Sequence, residues 1–347
     1  MPDFTPGTIH WIDHYVVCTN DIVRWEAFHS RILGARTEPD RSGGQMRKVG
    51  LFQNWARGRH GGFISKKPLP PTRGLGKGLP RYGFYIASDD IDLHLRRLEA
   101  AGALHDDPIR TSAEGDAGTV IHWQDPDGNQ FEFWAPDVLP DGAMDDCGDE
   151  RVGRISHGIF ESRDLDRTQA FFHRYCALEP VKSADIPSDT LVLRLAAGGR
   201  LMFRRVDTLE GRTTGCGLPD AHTALLVHRD DFFSNYARVW AELPEWDFDP
   251  RDDKPIENPH SLPPRTALHA SPAGRKFRQI TQRGDDWFDW DTNLFHFYGA
   301  TPIGDSFARY ETHAIDYYIN ELERAHESIA APHASVSESI GTPLPRK

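Results

Sequence analysis

Trp123-Gln124-Asp125-Pro126-Asp127-Gly128-Asn129-Gln130-Phe131-Glu132-Phe133-Trp134 reads as a polar turn that delivers a short strand. Asp, Pro, Gly and Asn each favour tight turns for their own reasons, and Phe131 and Phe133 then recur at the two-residue period of a strand with one buried face. The same pattern returns without a gap, 164 positions later, as Trp287-Phe288-Asp289-Trp290-Asp291-Thr292-Asn293-Leu294-Phe295-His296-Phe297-Tyr298. At the position of Glu132 the second copy carries His296.

Working outward from these endings, the beginnings repeat as well. Ile12-Asp13-His14-Tyr15-Val16-Val17 reads as a strand, after which Asn20-Asp21 caps a helix through Trp25, Phe28 and Ile32 to Gly34. Ile155-Ser156-His157-Gly158-Ile159-Phe160 restarts that order, with Arg163-Asp164 as the cap and Ala170, Phe171 and Tyr175 along the helix. His14 matches His157 and Phe28 matches Phe171, each pair 143 positions apart. Further starts lie at residues 82–87, before Asp89-Asp90, and at residues 222–227, before Asp230-Asp231. A repeated unit implies repeated architecture. The expected fold is α+β, four βαβββ modules paired into two cup-shaped, barrel-like domains.

The stretch 136–150 is rich in Pro, Asp and Gly and marks a linker. The expected organisation is therefore an N-terminal module pair over residues 1–150 and a C-terminal pair over 151–305. A closing helix and frayed tail would occupy 306–347. The second half is longer mainly in 246–276, where prolines and charges interrupt any period and predict a long ordered loop over a cleft.

The chain has 347 residues, with 40 Lys and Arg against 52 Asp and Glu, a net charge of −12. That charge repels phosphate backbones and anionic headgroups, so no nucleic acid and no membrane partner is expected. No apolar run approaches the roughly 20 residues that span a bilayer. The four cysteines, Cys18, Cys147, Cys176 and Cys216, form no C-x-x-C pair, which fits a reducing, cytoplasmic setting without a disulfide framework.

The strand with His14 or His157, the Asp-capped helix, the Asp125–Asn129 turn and the closing Phe131-Glu132-Phe133 together resemble the vicinal oxygen chelate superfamily of glyoxalases, bleomycin-resistance proteins and extradiol dioxygenases. The resemblance runs over about residues 8 to 300 and is greatest to the two-domain type I extradiol ring-cleavage dioxygenases. It implies a divalent metal in the C-terminal half, held by His157 and His222 from module starts and by a Glu on the last strand. Here that last position is His296, so the implied metal site is His157, His222 and His296. Three imidazoles are compatible with Fe(II), Mn(II), Zn(II) or Ni(II), with Fe(II) implied first by the resemblance. Without a carboxylate the metal keeps its full positive charge and favours an anionic chelating substrate.

His260 and His269 in the long loop are candidates for acid–base work, and Tyr298, two residues after His296, for substrate contact. The His-then-Tyr pair that extradiol enzymes carry before the last strand is absent. In the N-terminal half, His14 and Glu132 remain but Arg81-Tyr82-Gly83 stands where a second histidine would fall. That half is expected to be structural, with His14 as the hydrogen-bonded partner of Glu132. The implied activity is a metal-dependent dioxygenase acting on a small phenolic, catecholic or other chelating substrate. Non-oxidative isomerase or lyase chemistry at the same metal, and ligand sequestration without turnover, stay open. Expected partners are a small-molecule substrate, dioxygen and further copies of the chain in a homo-oligomer.

Overall fold

A computed structural model of the protein describes residues 9–37, 50–55, 58–64, 69, 74–112, 115–145, 147–207, 223–228, 248–249, 254–255, 266–271, 275–280, 285–288 and 294–300. The first repeat unit supplies β1 (Ile9–Thr19), α1 (Ile22–Leu33), β2 (Arg36–Thr37), β3 (Gly50–Trp55) and β4 (Gly58–Ile64). The second supplies β5 (Arg81–Tyr85), α2 (Ile91–Ala101), β6 (Leu104–His105), β7 (Ile109–Thr111), β8 (Gly118–Gln124) and β9 (Gln130–Pro136). The third gives β10 (Ile155–Ser162), α3 (Leu165–Cys176), β11 (Thr190–Arg194) and β12 (Arg200–Arg205). Then follow β13 (Thr223–His228), β14 (Phe248–Asp249), β15 (Lys254–Pro255), β16 (Thr266–Ser271), β17 (Arg275–Ile280), β18 (Asp285–Phe288) and β19 (Leu294–Ala300).

The caps read from the sequence govern two of the helices. Asp21 accepts from the backbone N–H groups of Val23 and Arg24, and Asp164 from that of Arg167, which satisfies donors that a first helical turn leaves open. Gly34 ends α1 in the left-handed region at φ 66°, where glycine carries no steric penalty. α1 buries Trp25, Phe28, His29, Ile32 and Leu33, the i, i+3, i+4, i+7, i+8 stripe of a helix lying on a core. At Asp90, before α2, the side chain makes no capping hydrogen bond.

The motif at residues 125–129 does two jobs. Asp125 accepts from the backbone N–H groups of Asp127 and Asn129 and from Asn129 Nδ2, closing the turn on itself. Asp127 points the other way and accepts from Thr19 Oγ1 at 2.6 Å, Asn20 Nδ2 at 2.9 Å and Arg24 at 2.9 Å. The turn that ends the second unit thereby holds the β1–α1 junction of the first.

The sheets do not divide where the linker divides the chain. One has the order β18-β19-β13-β1-β4-β3-β2, and the other β11-β12-β10-β5-β9-β8-β6, with β7 on β8. Each draws strands from both sides of residue 150. The first strand of each unit presents an edge whose N–H and C=O groups need a partner. These edges pair between halves: β1 with β13 and β5 with β10, both antiparallel. The expected pairing of modules within each half gives way to this arrangement. Among the described residues both sheets are open, ending on β18 and β2 and on β11 and β6, and form no closed barrel.

A shared apolar core includes Ile12, Trp25, Ile32, Phe84, Trp123, Phe131, Phe160, Phe203 and Leu225. Tyr15 of β1 stacks on Tyr82 of β5, ring centroids 4.2 Å apart, so the two sheets meet through aromatic faces. The segment 246–276, expected as a loop, contains the pair β14–β15 and most of the hairpin β16–β17. Its prolines and charges hid those short strands from a periodicity reading. Cys18 is disulfide-bonded, a departure from the expected absence of a disulfide framework, while Cys147 and Cys176 are free. The expected helices after Asp231 and over 309–325 lie outside the described residues.

Candidate functional site

Glu132 is fully buried on β9, and three side chains converge on it. His157 Nε2, from β10, lies 2.7 Å from Oε2. His122 Nε2, from the adjoining β8, lies 3.3 Å from Oε1, and the Arg81 guanidinium from β5 makes an ion pair with that same oxygen. Sheet register explains the convergence, since Gly83 pairs with both His157 and Glu132 and brings their strands to either side of β5. A Cβ at Gly83 would sit 2.2 Å from His157 Cε1. Only glycine lets the imidazole lie across that strand.

The second nitrogen of each imidazole is also engaged. His157 Nδ1 is 3.0 Å from Ser156 Oγ, and His122 Nδ1 is paired with Asp106. Arg81 is anchored from its far side, donating through a terminal nitrogen to the Gly76 carbonyl. Burial by itself pushes the Glu132 carboxyl up. The Arg81 charge and the hydrogen bonds from His122 and His157 outweigh that and hold it well below the usual carboxylate range. Burial lowers His122, yet the hydrogen bond and charge of Glu132 overcome it and leave the imidazole raised.

The expected partnership of Glu132 with His14 is corrected. His157 holds the carboxylate, and His14 Nδ1 is instead 2.5 Å from Asp13 Oδ2, both residues buried on β1. His14 belongs to the other sheet, where it pairs with Ala224 of β13, and Ala224 in turn pairs with His296 of β19. His157 and His296 thus stand in different sheets. Tyr298 is on β19 opposite Leu226, and His269 on β16 opposite Phe277. His222 and His260 lie outside the described residues. Sequence reading passed over His122 and gave Arg81 no role. An arginine and a glycine two positions apart inside an apolar strand were the available signal, since neither suits a central strand without a special partner.

Among the described residues, no three His, Cys, Asp or Glu side chains are grouped to hold a metal ion. Glu132 with His122 and His157 has the donor types of a two-histidine, one-carboxylate centre, but the guanidinium lies on the carboxylate. Unit charges 4 Å apart interact by about 4 kcal/mol at an effective dielectric of 20, and a dication would meet about twice that repulsion. This arrangement does not fit a divalent metal. Among the described residues no helix is long and apolar enough to cross a membrane.

Residues 11–133 match the model of the Glyoxalase/Bleomycin resistance protein/Dioxygenase superfamily, and the chain carries a domain of that superfamily. Its fold is shared with a provisionally assigned dioxygenase of Bacillus subtilis, at 15% identity and a TM-score of 0.55, covering 94% of this chain and 98% of that one. Glyoxalase I of Zea mays has 15% identity and a TM-score of 0.50, covering 91% of this chain and 96% of its own. Compared with curated protein sequences, the chain finds no match.

Proposed function

We propose that the protein is a metal-dependent dioxygenase acting on a small phenolic, catecholic or other chelating substrate, with its metal held by histidines of the β1–β13–β19 sheet. One observation carries this reading. The register His14, Ala224, His296 repeats the register His157, Gly83, Glu132 of the other sheet. Both place an imidazole on one flanking strand, a donor residue on the other, and a small residue between them. At the β13 start the sequence has His222 where the β5 start has Arg81.

In this reading His296 and His222 keep the ligand roles that the sequence suggested, and His14 takes the place first given to His157. Asp13 supports that role, because a carboxylate on Nδ1 fixes the tautomer and ring orientation and leaves coordination to Nε2. Fe(II), or alternatively Mn(II), Zn(II) or Ni(II), would supply Lewis acidity and, for iron, a site for dioxygen beside two substrate oxygens. The imidazoles add no negative charge, so the site selects a substrate that brings its own. Tyr298 lies two residues beyond His296 on the same strand and contacts substrate, while His269 or His260 transfers a proton.

Elemental analysis of anaerobically purified protein, with oxygen uptake on a catechol panel, tests the reading. Stoichiometric metal is expected, lost in His296→Ala and in His14→Ala but retained in His157→Gln. Metal that survives both of the first two substitutions would sink the assignment. Metal without oxygen consumption would remove the oxidative part and favour isomerase or lyase chemistry.

A further inference from the structure

We infer that Arg81 is the resident cation of the Glu132 site, a guanidinium built into the position where this donor set would otherwise bind a divalent metal. The inference stands apart from the proposed function, because it concerns the other sheet. Glu132, His122 and His157 supply one carboxylate and two imidazoles whose Nε2 atoms approach the two oxygens of the same carboxylate. Each imidazole is oriented from behind, His157 by Ser156 and His122 by Asp106, as metal-ligating histidines commonly are. To that donor set Arg81 adds a cation of its own.

That side chain is fixed in place. Arg81 is 1% exposed, its ion pair with Glu132 faces one way and its bond to the Gly76 carbonyl the other. The His122 ring lies against Gly76, whose φ of 69° shapes the loop that receives the guanidinium. A fixed charge held by two elements cannot step aside for a solvated dication at ordinary concentration. It also neutralises Glu132 permanently, so this sheet needs no metal to be stable. The strand start that would carry a histidine carries a structural counter-ion instead.

The test is Co(II) binding to metal-stripped protein, read by elemental analysis and by the visible absorption of bound cobalt. Arg81→Met keeps the aliphatic stem and removes the charge. It is expected to bind about one more equivalent of Co(II) per chain than wild type. The double variant Arg81→Met with His157→Gln should lose that extra equivalent. In wild type, Glu132→Gln should leave metal content unchanged. The idea is overturned if a folded Arg81→Met chain gains no cobalt, or if Glu132→Gln removes metal from wild type. Should Arg81→Met fail to fold, the wild-type and Glu132→Gln comparison still decides whether this site holds metal. Loss of metal on mutating His14 or His296 bears on the proposed function alone and leaves this result untouched.

Discussion

The Tyr82 hydroxyl of β5 lies 2.8 Å from Thr223 Oγ1 of β13, a buried hydrogen bond between residues of different sheets and different halves of the chain. Burial raises the Tyr82 phenol above its ordinary range, so the hydroxyl stays protonated at any physiological pH. Removing the oxygen leaves the Thr223 hydroxyl, fully buried, without this partner. Tyr82→Phe should cost about 1–3 kcal/mol in urea unfolding. A change below a few tenths would show that the contact between the sheets is apolar only.

The Arg81–Glu132 ion pair predicts an asymmetry between single and double substitutions. Glu132→Gln strands a buried guanidinium and should destabilise by about 3–5 kcal/mol, whereas replacing both partners with apolar residues of similar volume should recover most of the loss. Denaturant melts of Glu132→Leu, Arg81→Met and Arg81→Met with Glu132→Leu form the cycle that measures it, with Glu132→Gln as the isosteric control. If the double variant is as unstable as the worse single one, His122 and His157 depend on the carboxylate more than Arg81 does.

Asp127 ties the end of one repeat unit to the start of its neighbour through Thr19, Asn20 and Arg24. Asp127→Ala should lower stability by about 2–3 kcal/mol, since it removes an acceptor from several donors at once. Amide exchange near residues 19–24 should accelerate first, because that junction loses its anchor before the core does.

Acid should weaken the fold through His94. Its ring packs on Phe133 at 4.7 Å between centroids, and burial, then the Arg97 charge, lowers it to about 4. The unfolded ring takes up its proton near pH 6.5, so between about pH 6.5 and 4 the unfolded state binds more protons and stability is lost as the solution is acidified. The loss across that window is about 3 kcal/mol. Glu132 adds to it in the same direction once the pH falls far enough to protonate a carboxyl held this low. Unfolding measured at pH 7, 5.5 and 4.5 should show the decline, and His94→Leu should flatten its upper part.

Much of the local structure was legible. The Asp21 and Asp164 caps, the turn at 125–129 and the strands that carry His14 and His157 all lie where hydrogen-bonding chemistry and period put them. The matched positions of Glu132 and His296 were legible too, and they occupy equivalent registers. The partner of Glu132 was not. Four units with similar first strands offer several equivalent edges, and nothing within a strand says which edge it will join.

The amino-acid sequence by itself determined the repeated unit, its helix caps and turns, and the identity of the donors on the first and last strands, because those follow from short-range geometry and side-chain type. Tertiary structure alone decided that β5 pairs with β10 and β1 with β13. That choice brings His157 to Glu132 across Gly83 and sets His14 in register with His296. The physical reason is that strand partnership is settled by backbone groups every strand shares and by packing over the whole core. Which charges meet in the interior follows from that pairing, beyond the reach of any local pattern.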